Sequence, residues 1–144
     1  MSDIAKIKSK VSSLVNKYNT RDPFELADIL GVLYQIGNCK NEGCYMFLKN
    51  HRYIFLSNKL NNPELKIVMA HELGHALLDR KQNCYFIRNK TLFLNSRFEK
   101  RANLFAAHLL IDSEYLKEYS WCTTEQLSHS LGYPLELINL RLLE

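Results

Sequence analysis

The sequence predicts an α+β fold. A small antiparallel or mixed three-stranded sheet should pack against a helical core, with one helix buried centrally and a helical C-terminus. Two observations carry this. Helical apolar spacing opens the chain, gives way to short aromatic, β-rich segments, and then returns to the end. Between the two textures lies "IVMAHELGHALLDR", apolar on more than one side, as a helix buried in the middle of a domain would be.

Taking the elements in order, "DIAKIKSKVSSLVNKYN" places Ile4, Ile7, Val11, Leu14 and Val15 on one helical face. "RDPFELADILG" has Asp22 as N-cap, Pro23 in the first turn and Gly31 after the last apolar residue, a short second helix. "VLYQIGN", "GCYMFLK" and "HRYIFLS" read as strands, with hairpins at "CKNEG" and "NHR". The central helix opens with Asn61 or Asn62 as cap, Pro63 early and Glu64 in the first turn. "NCYFIRN" and "TLFLN" read as a further strand or an ordered loop. "SRFEKRANLFAAHLLI" starts with Ser96 and an in-register Glu99, a capping-box pattern. "TTEQLSHSLGYPLELINLRLLE" gives two more helices, broken at Gly132-Tyr133-Pro134.

At 144 residues, a single domain spanning 1–144 can bury its core without disulfide staples. A hydrophobic fraction of 47% with 11% aromatics excludes a disordered tail. The charge of +4, from 19 basic and 15 acidic residues, does not demand a nucleic-acid partner. Cys39, Cys44, Cys84 and Cys122 show no CxxC pair, and each reads as a small buried residue. The polar N-terminus has no apolar signal core and no segment reaches membrane-spanning length, so a cytoplasmic chain with reduced thiols is expected.

His71-Glu72-Leu73-Gly74-His75 is an HExxH motif. Chance would place one in roughly one chain of this length in a few hundred, so the motif needs support from the rest of the chain. Residues four apart on a helix lie about 40° apart around the axis, so His71 and His75 can grip one zinc ion. Glu72, turned about 100° from His71, is suited to act as general base on a metal-activated water and then to hand the proton to a leaving amine. A catalytic zinc usually takes a third protein ligand, and the downstream candidates are Glu99, His108, Glu114 and Glu118. Relative to Glu99, Ala102, Asn103, Ala106 and Leu110 fall within roughly 60° of one helix face, whereas His108 is about 180° away. That face offers a carboxylate and an amide among small alanines. With Gly74 opposite, it permits the close helix approach a shared metal would need. Asn103 could accept a hydrogen bond from the outer nitrogen of a zinc histidine.

With both motifs in view, "AHELGHALL" followed by "FEKRANLFAAHLL" resembles the ImmA/IrrE family of metallopeptidases, from the "VLYQIGN" strands to about Ile111. The resemblance implies a zinc endopeptidase domain with one Zn2+ per chain, His71, His75 and Glu99 as ligands and Glu72 as catalytic acid/base. It also implies a protein substrate, typically a helix-turn-helix repressor whose cleavage derepresses genes. The pattern departs at Ile111-Asp112, where the family often has Met-Pro, and at Arg101, where it often has an acidic residue; neither position is a proposed ligand.

His51 and His129 read as surface residues, and His108 as a satisfied or exposed histidine. Tyr45, Tyr53 and Tyr85 read as half-buried strand residues rather than oxyanion donors. The C-terminal helices faintly suggest a helix-turn-helix, but the second is Leu-rich with Arg141 its only base, so packing is expected rather than direct nucleic-acid binding. An edge strand of the "GCYMFLK"/"HRYIFLS" sheet is expected to align an extended substrate. The alternative function is a non-catalytic zinc-containing regulator that binds a repressor or DNA.

Overall fold

The computed structural model describes residues 2–81, 84–86 and 97–143. Helix α1 (Asp3–Tyr18) is capped by Ser2 and turns Ile7 and Val11 into the core. Helix α2 (Pro23–Leu30) begins at Asp22, whose side chain accepts from the Phe24 amide at 2.9 Å, and ends at Gly31 in the left-handed conformation (φ 73°). Both ends are those the sequence predicts.

Strands β1 (Leu33–Gly37), β2 (Gly43–Leu48), β3 (His51–Ser57) and the short β4 (Cys84–Phe86) form one mixed sheet in the order β1-β3-β2-β4. The β2–β3 hairpin is as expected: Lys49 and Asn50 both have positive φ (48° and 64°), as a two-residue turn matched to sheet twist requires. The hairpin expected at "CKNEG" does not form, because β1 pairs parallel with β3. Residues 38–42 instead step over the end of β3, where the Asn58 amide donates to Gly37 O and the Ser57 amide to Glu42 O, each at 2.9 Å. Two strand spacings are about 10 Å, within reach of five residues. One consequence is that β3 is interior and β2 is covered by β4 over Gly43–Tyr45. Among the described residues the edges are therefore β1, β4 and the Met46–Leu48 end of β2, so β3 is closed to an extended substrate and β2 is open only at that end.

Helix α3 (Asn62–Leu78) is the centre of the molecule. Asn61 is its cap, and Glu64 closes a capping box by accepting from the Asn61 amide at 3.0 Å. Every residue from Val68 to Ala76 is buried, which explains why its sequence lacks a polar face. The sheet covers one side of α3, and helix α4 (Arg97–Leu110) lies on another. Ser96, the expected cap of α4, and "TLFLN" lie outside the described residues. After α4 come α5 (Ser113–Glu118), which the periodicity does not predict, α6 (Thr124–Leu131) and α7 (Leu135–Arg141). Gly132 ends α6 with φ 75°, and Leu137 and Ile138 of α7 are buried in the core. No helix among the described residues is long and apolar enough to cross a membrane.

Candidate metal centre

The centre is built where α3 and α4 come closest. A Cβ added to Gly74 would sit 3.1 Å from Ala102 Cα and 3.1 Å from Phe105 Cβ, so any larger residue would press α4 away by a few tenths of an ångström. Ala102 and Ala106 keep the facing side of α4 low. At the rim, Arg101 Nε lies 3.4 Å from Asp79 Oδ2, tying α4 to the C-terminal cap of α3. That pairing gives a local role to the arginine that departs from the family pattern.

Across this interface the sequence-predicted residues converge. His71 Nε2 is 3.0 Å from Glu99 Oε2, His75 Nε2 is 3.2 Å from Glu99 Oε1, and the two Nε2 atoms are 3.1 Å apart. His71 Nδ1 is 2.7 Å from Asn103 Oδ1. That bond requires a proton on Nδ1 and leaves the Nε2 lone pair turned inward. Burial holds the His71 pKa below its ordinary value, against the opposing pull of Glu99. Burial alone would raise the Glu99 carboxyl, but the closeness of the His71 and His75 rings outweighs it and brings it down to about 2. A neutral imidazole and an ionised carboxylate are the protonation states that bind metal. Lone pairs converging at 3.0–3.2 Å repel unless a cation or proton lies among them. The ligand atoms of His71, His75 and Glu99 lie within 4.8 Å of one another and could hold one metal ion.

Glu72 is beside this triad and fully buried. Neither of its carboxylate oxygens has a hydrogen-bond partner among the described residues. Burial, reinforced by the negative charge of Glu99 and by Cys39, pushes its pKa well above the usual carboxylate range. Burying a carboxyl without a partner costs the fold stability, and a carboxyl whose pKa is raised in this way is suited to taking up and returning a proton.

The remaining candidates are elsewhere. Glu114 and Glu118 are exposed on α5, and His51 and His129 are exposed. His108 faces away from Glu99 as the helical angle requires, but it is buried rather than exposed, and its Nε2 lacks a partner among the described residues. Tyr45 is fully buried, not half-buried; its ring stacks on His75 and its hydroxyl donates to Arg80 O, so that proton is already committed. The side chain of Tyr85 lies outside the described residues. The thiols read from sequence as small buried residues; Cys44 is buried and Cys39 is half-buried. Cys39 and Cys44 are free and line a cavity of about 300 Å3 between the β1–β2 connection and β3. Burial, then Glu72 and Cys39, pushes the Cys44 thiol up to about 11. Their nearness to Glu72 depends on the β1-to-β2 crossing, for which the sequence has no local signal.

Residues 20–143 match the model of the IrrE N-terminal-like domain, a peptidase family. The chain belongs to the IrrE N-terminal-like peptidase family. It is 34% identical over 139 residues to the "Uncharacterized immunity region protein 2" of Bacillus phage phi105, covering 94% of this chain and 88% of that one. It is also 29% identical over 115 residues to the metallopeptidase ImmA of Bacillus subtilis strain 168, covering 78% and 67%. Family membership and the buried His71–His75–Glu99 group together support a metallopeptidase.

Proposed function

We propose that this chain is a zinc-dependent endopeptidase that hydrolyses one peptide bond in a protein substrate, a helix-turn-helix transcriptional repressor, and so relieves repression. The observation carrying the reading is Glu72: a buried carboxyl without a partner among the described residues, next to three convergent metal-binding side chains. A closed structural metal site has no use for such a group.

His71, His75 and Glu99 would hold the ion. Two imidazoles and a carboxylate are donors that zinc accepts, and their facing atoms lie only 3.0–3.2 Å apart, close enough to share one ion. When bound, zinc supplies Lewis acidity that polarises the peptide carbonyl and acidifies water. Glu72 takes the proton released as water attacks the carbonyl carbon, and returns it to the leaving amine nitrogen as the C–N bond breaks. Its raised pKa suits both halves of that cycle. Asn103 holds the His71 ring by its outer nitrogen, and Tyr45 stacks against His75, so the two ligands are oriented from opposite elements.

The repressor substrate rests on the resemblance to ImmA/IrrE proteins, and the immunity-region name of the phage relative is in keeping with it. A non-catalytic regulator that reads DNA gains little from α7, whose one basic residue, Arg141, is turned into the fold toward Ile111 O and Ser113 Oγ, at 2.8 and 2.9 Å from Nε and Nη2. The test is to incubate the purified chain with helix-turn-helix repressors from the same genome and to identify products by mass spectrometry. A single cut, made by the wild type and not by Glu72→Gln, is the expected result. An intact repressor with a zinc-loaded wild type would overturn the substrate. Equal cleavage by Glu72→Gln would overturn the role of Glu72.

A further inference from the structure

On the face of α4 turned away from the metal centre lies a second polar cavity, of about 290 Å3. Its walls include Lys8 and Ser12 of α1, Arg21 before α2, His108 of α4, Ser113 of α5 and Arg141 of α7. Part of this arrangement is structural. Arg21 Nη1 donates to the carbonyls of His108 and Leu109 at 3.0 and 3.1 Å, and Arg141 Nε donates to that of Ile111 at 2.8 Å. These bonds cap the carbonyls that the end of α4 leaves without helical partners.

Capping does not explain the rest. Lys8 adds a third cation to the same hollow, with Asp112, 3.4 Å from Arg21 Nη2, as the acidic group paired there. His108 is 5% exposed, and its Nε2 is buried with no hydrogen-bond partner among the described residues. A nitrogen withdrawn from water and left unbonded is normally matched by a ligand or an ordered group. Burial first, and then the positive charges of Arg141, Lys8 and Arg21, lowers the His108 pKa to about 4.

We propose that this cavity binds a phosphate group, carried as inorganic phosphate or as a small phosphomonoester. Lys8, Arg21 and Arg141 against Asp112 leave about two positive charges, matching a dianion. The donors come from four helices and the α1–α2 connection and include two hydroxyls and an imidazole. Such a surround fits a tetrahedral oxyanion better than a planar carboxylate. Lys8 and Ser12 are one turn apart on α1, so ammonium and hydroxyl reach into the hollow from the same face. The site does not depend on the peptidase reading.

The test titrates the whole zinc-loaded chain with orthophosphate and then with glycerol 3-phosphate, against chloride at matched ionic strength. The readouts are the histidine ring resonances by NMR and the thermal midpoint. Saturable movement of the His108 resonance, an upward shift of its titration and a phosphate-dependent rise in Tm are expected. Binding should weaken at least tenfold in Lys8→Gln/Ser12→Ala, whose exposed positions leave the unliganded Tm unchanged. Tighter binding of glycerol 3-phosphate assigns a phosphomonoester, and tighter binding of orthophosphate assigns the free ion. A silent His108, equal effects of chloride, wild-type affinity in the double variant, or a response confined to His71 and His75 would each overturn the proposal.

Discussion

His71 Nδ1 and Asn103 Oδ1 meet at 2.7 Å inside the core, a bond that joins α3 to α4 on the side of the ring opposite the Nε2 that faces Glu99. It selects the His71 tautomer and fixes its ring plane, so metal affinity should depend on a residue that never touches the ion. Asn103→Ala is expected to lower zinc affinity about 10- to 100-fold, read by competition with a chromophoric chelator. Asn103→Asp, which keeps the acceptor, should retain most of it. Equal affinity in all three proteins would show that packing alone orients His71.

Glu99 and Glu72 are both buried carboxyls, yet they should separate cleanly by metal content. Glu99→Ala removes one of three converging donors and is expected to fall well below one zinc equivalent. Glu72→Gln should retain the full equivalent while its hydrolysis drops by about 10²–10⁴-fold or more. Elemental analysis paired with peptide-cleavage rates decides this, and zinc loss in Glu72→Gln would make Glu72 a ligand.

Gly74 faces Ala102 and Phe105 at 3.1 Å from where a Cβ would stand. Alanine is the better helix former by about 1 kcal/mol, but pushing α3 and α4 apart costs about 1–3 kcal/mol. Gly74→Ala should therefore be net destabilising in urea titrations, or at best neutral. It should also bind zinc less tightly, because Glu99 and Asn103 move away from the histidines together. A stabilised variant with unchanged affinity would mean the interface yields freely.

His108 gives the fold an acid-sensitive element. Its native pKa of about 4 lies below the ordinary histidine value, because burial and then Arg141, Lys8 and Arg21 disfavour the imidazolium. Below the unfolded pKa of about 6.5 the unfolded chain takes up a proton that the native one refuses. Stability from this residue is thus fully present above pH 6.5 and is lost as pH falls through about 4, by up to about 3 kcal/mol. Urea titrations from pH 7 to 4 should show a shallower decline for His108→Gln than for the wild type. Parallel curves would assign the acid sensitivity to other groups.

Chelator treatment should lower Tm in a concentration-dependent way, since an ion bound only by the native state stabilises it by mass action. Calorimetry of the wild type and Glu99→Ala would show this directly: the first should respond to chelator and the second should not.

Much of the site was legible because helices carry their geometry in local spacing. Four-residue intervals place His71 with His75 and Glu99 with Asn103, and all four side chains do meet. The same angular argument turns His108 away from Glu99. It gives a direction around the helix axis, however, and no information about what covers that direction. His108 is therefore buried among Arg21, Arg141 and Lys8, which come from other parts of the chain. Tyr45 likewise reads as a half-buried strand residue, and only the seating of β2 against α3 buries it fully and stacks it on His75.

Local chemistry by itself determined the helix limits at Asp22, Gly31 and Gly132, a cap at Asn61 or its neighbour, a β2–β3 hairpin and the side-chain types that face each other on α3 and α4. Each depends on a few consecutive residues satisfying backbone groups or sharing a helix face. Tertiary structure alone decided that β1 runs parallel to β3, that Cys39 and Cys44 come near Glu72, and that Glu72 is stripped of water beside Glu99. Those outcomes turn on which distant segments bury one another, and desolvation by a remote element leaves no trace in the spacing of the residues it covers.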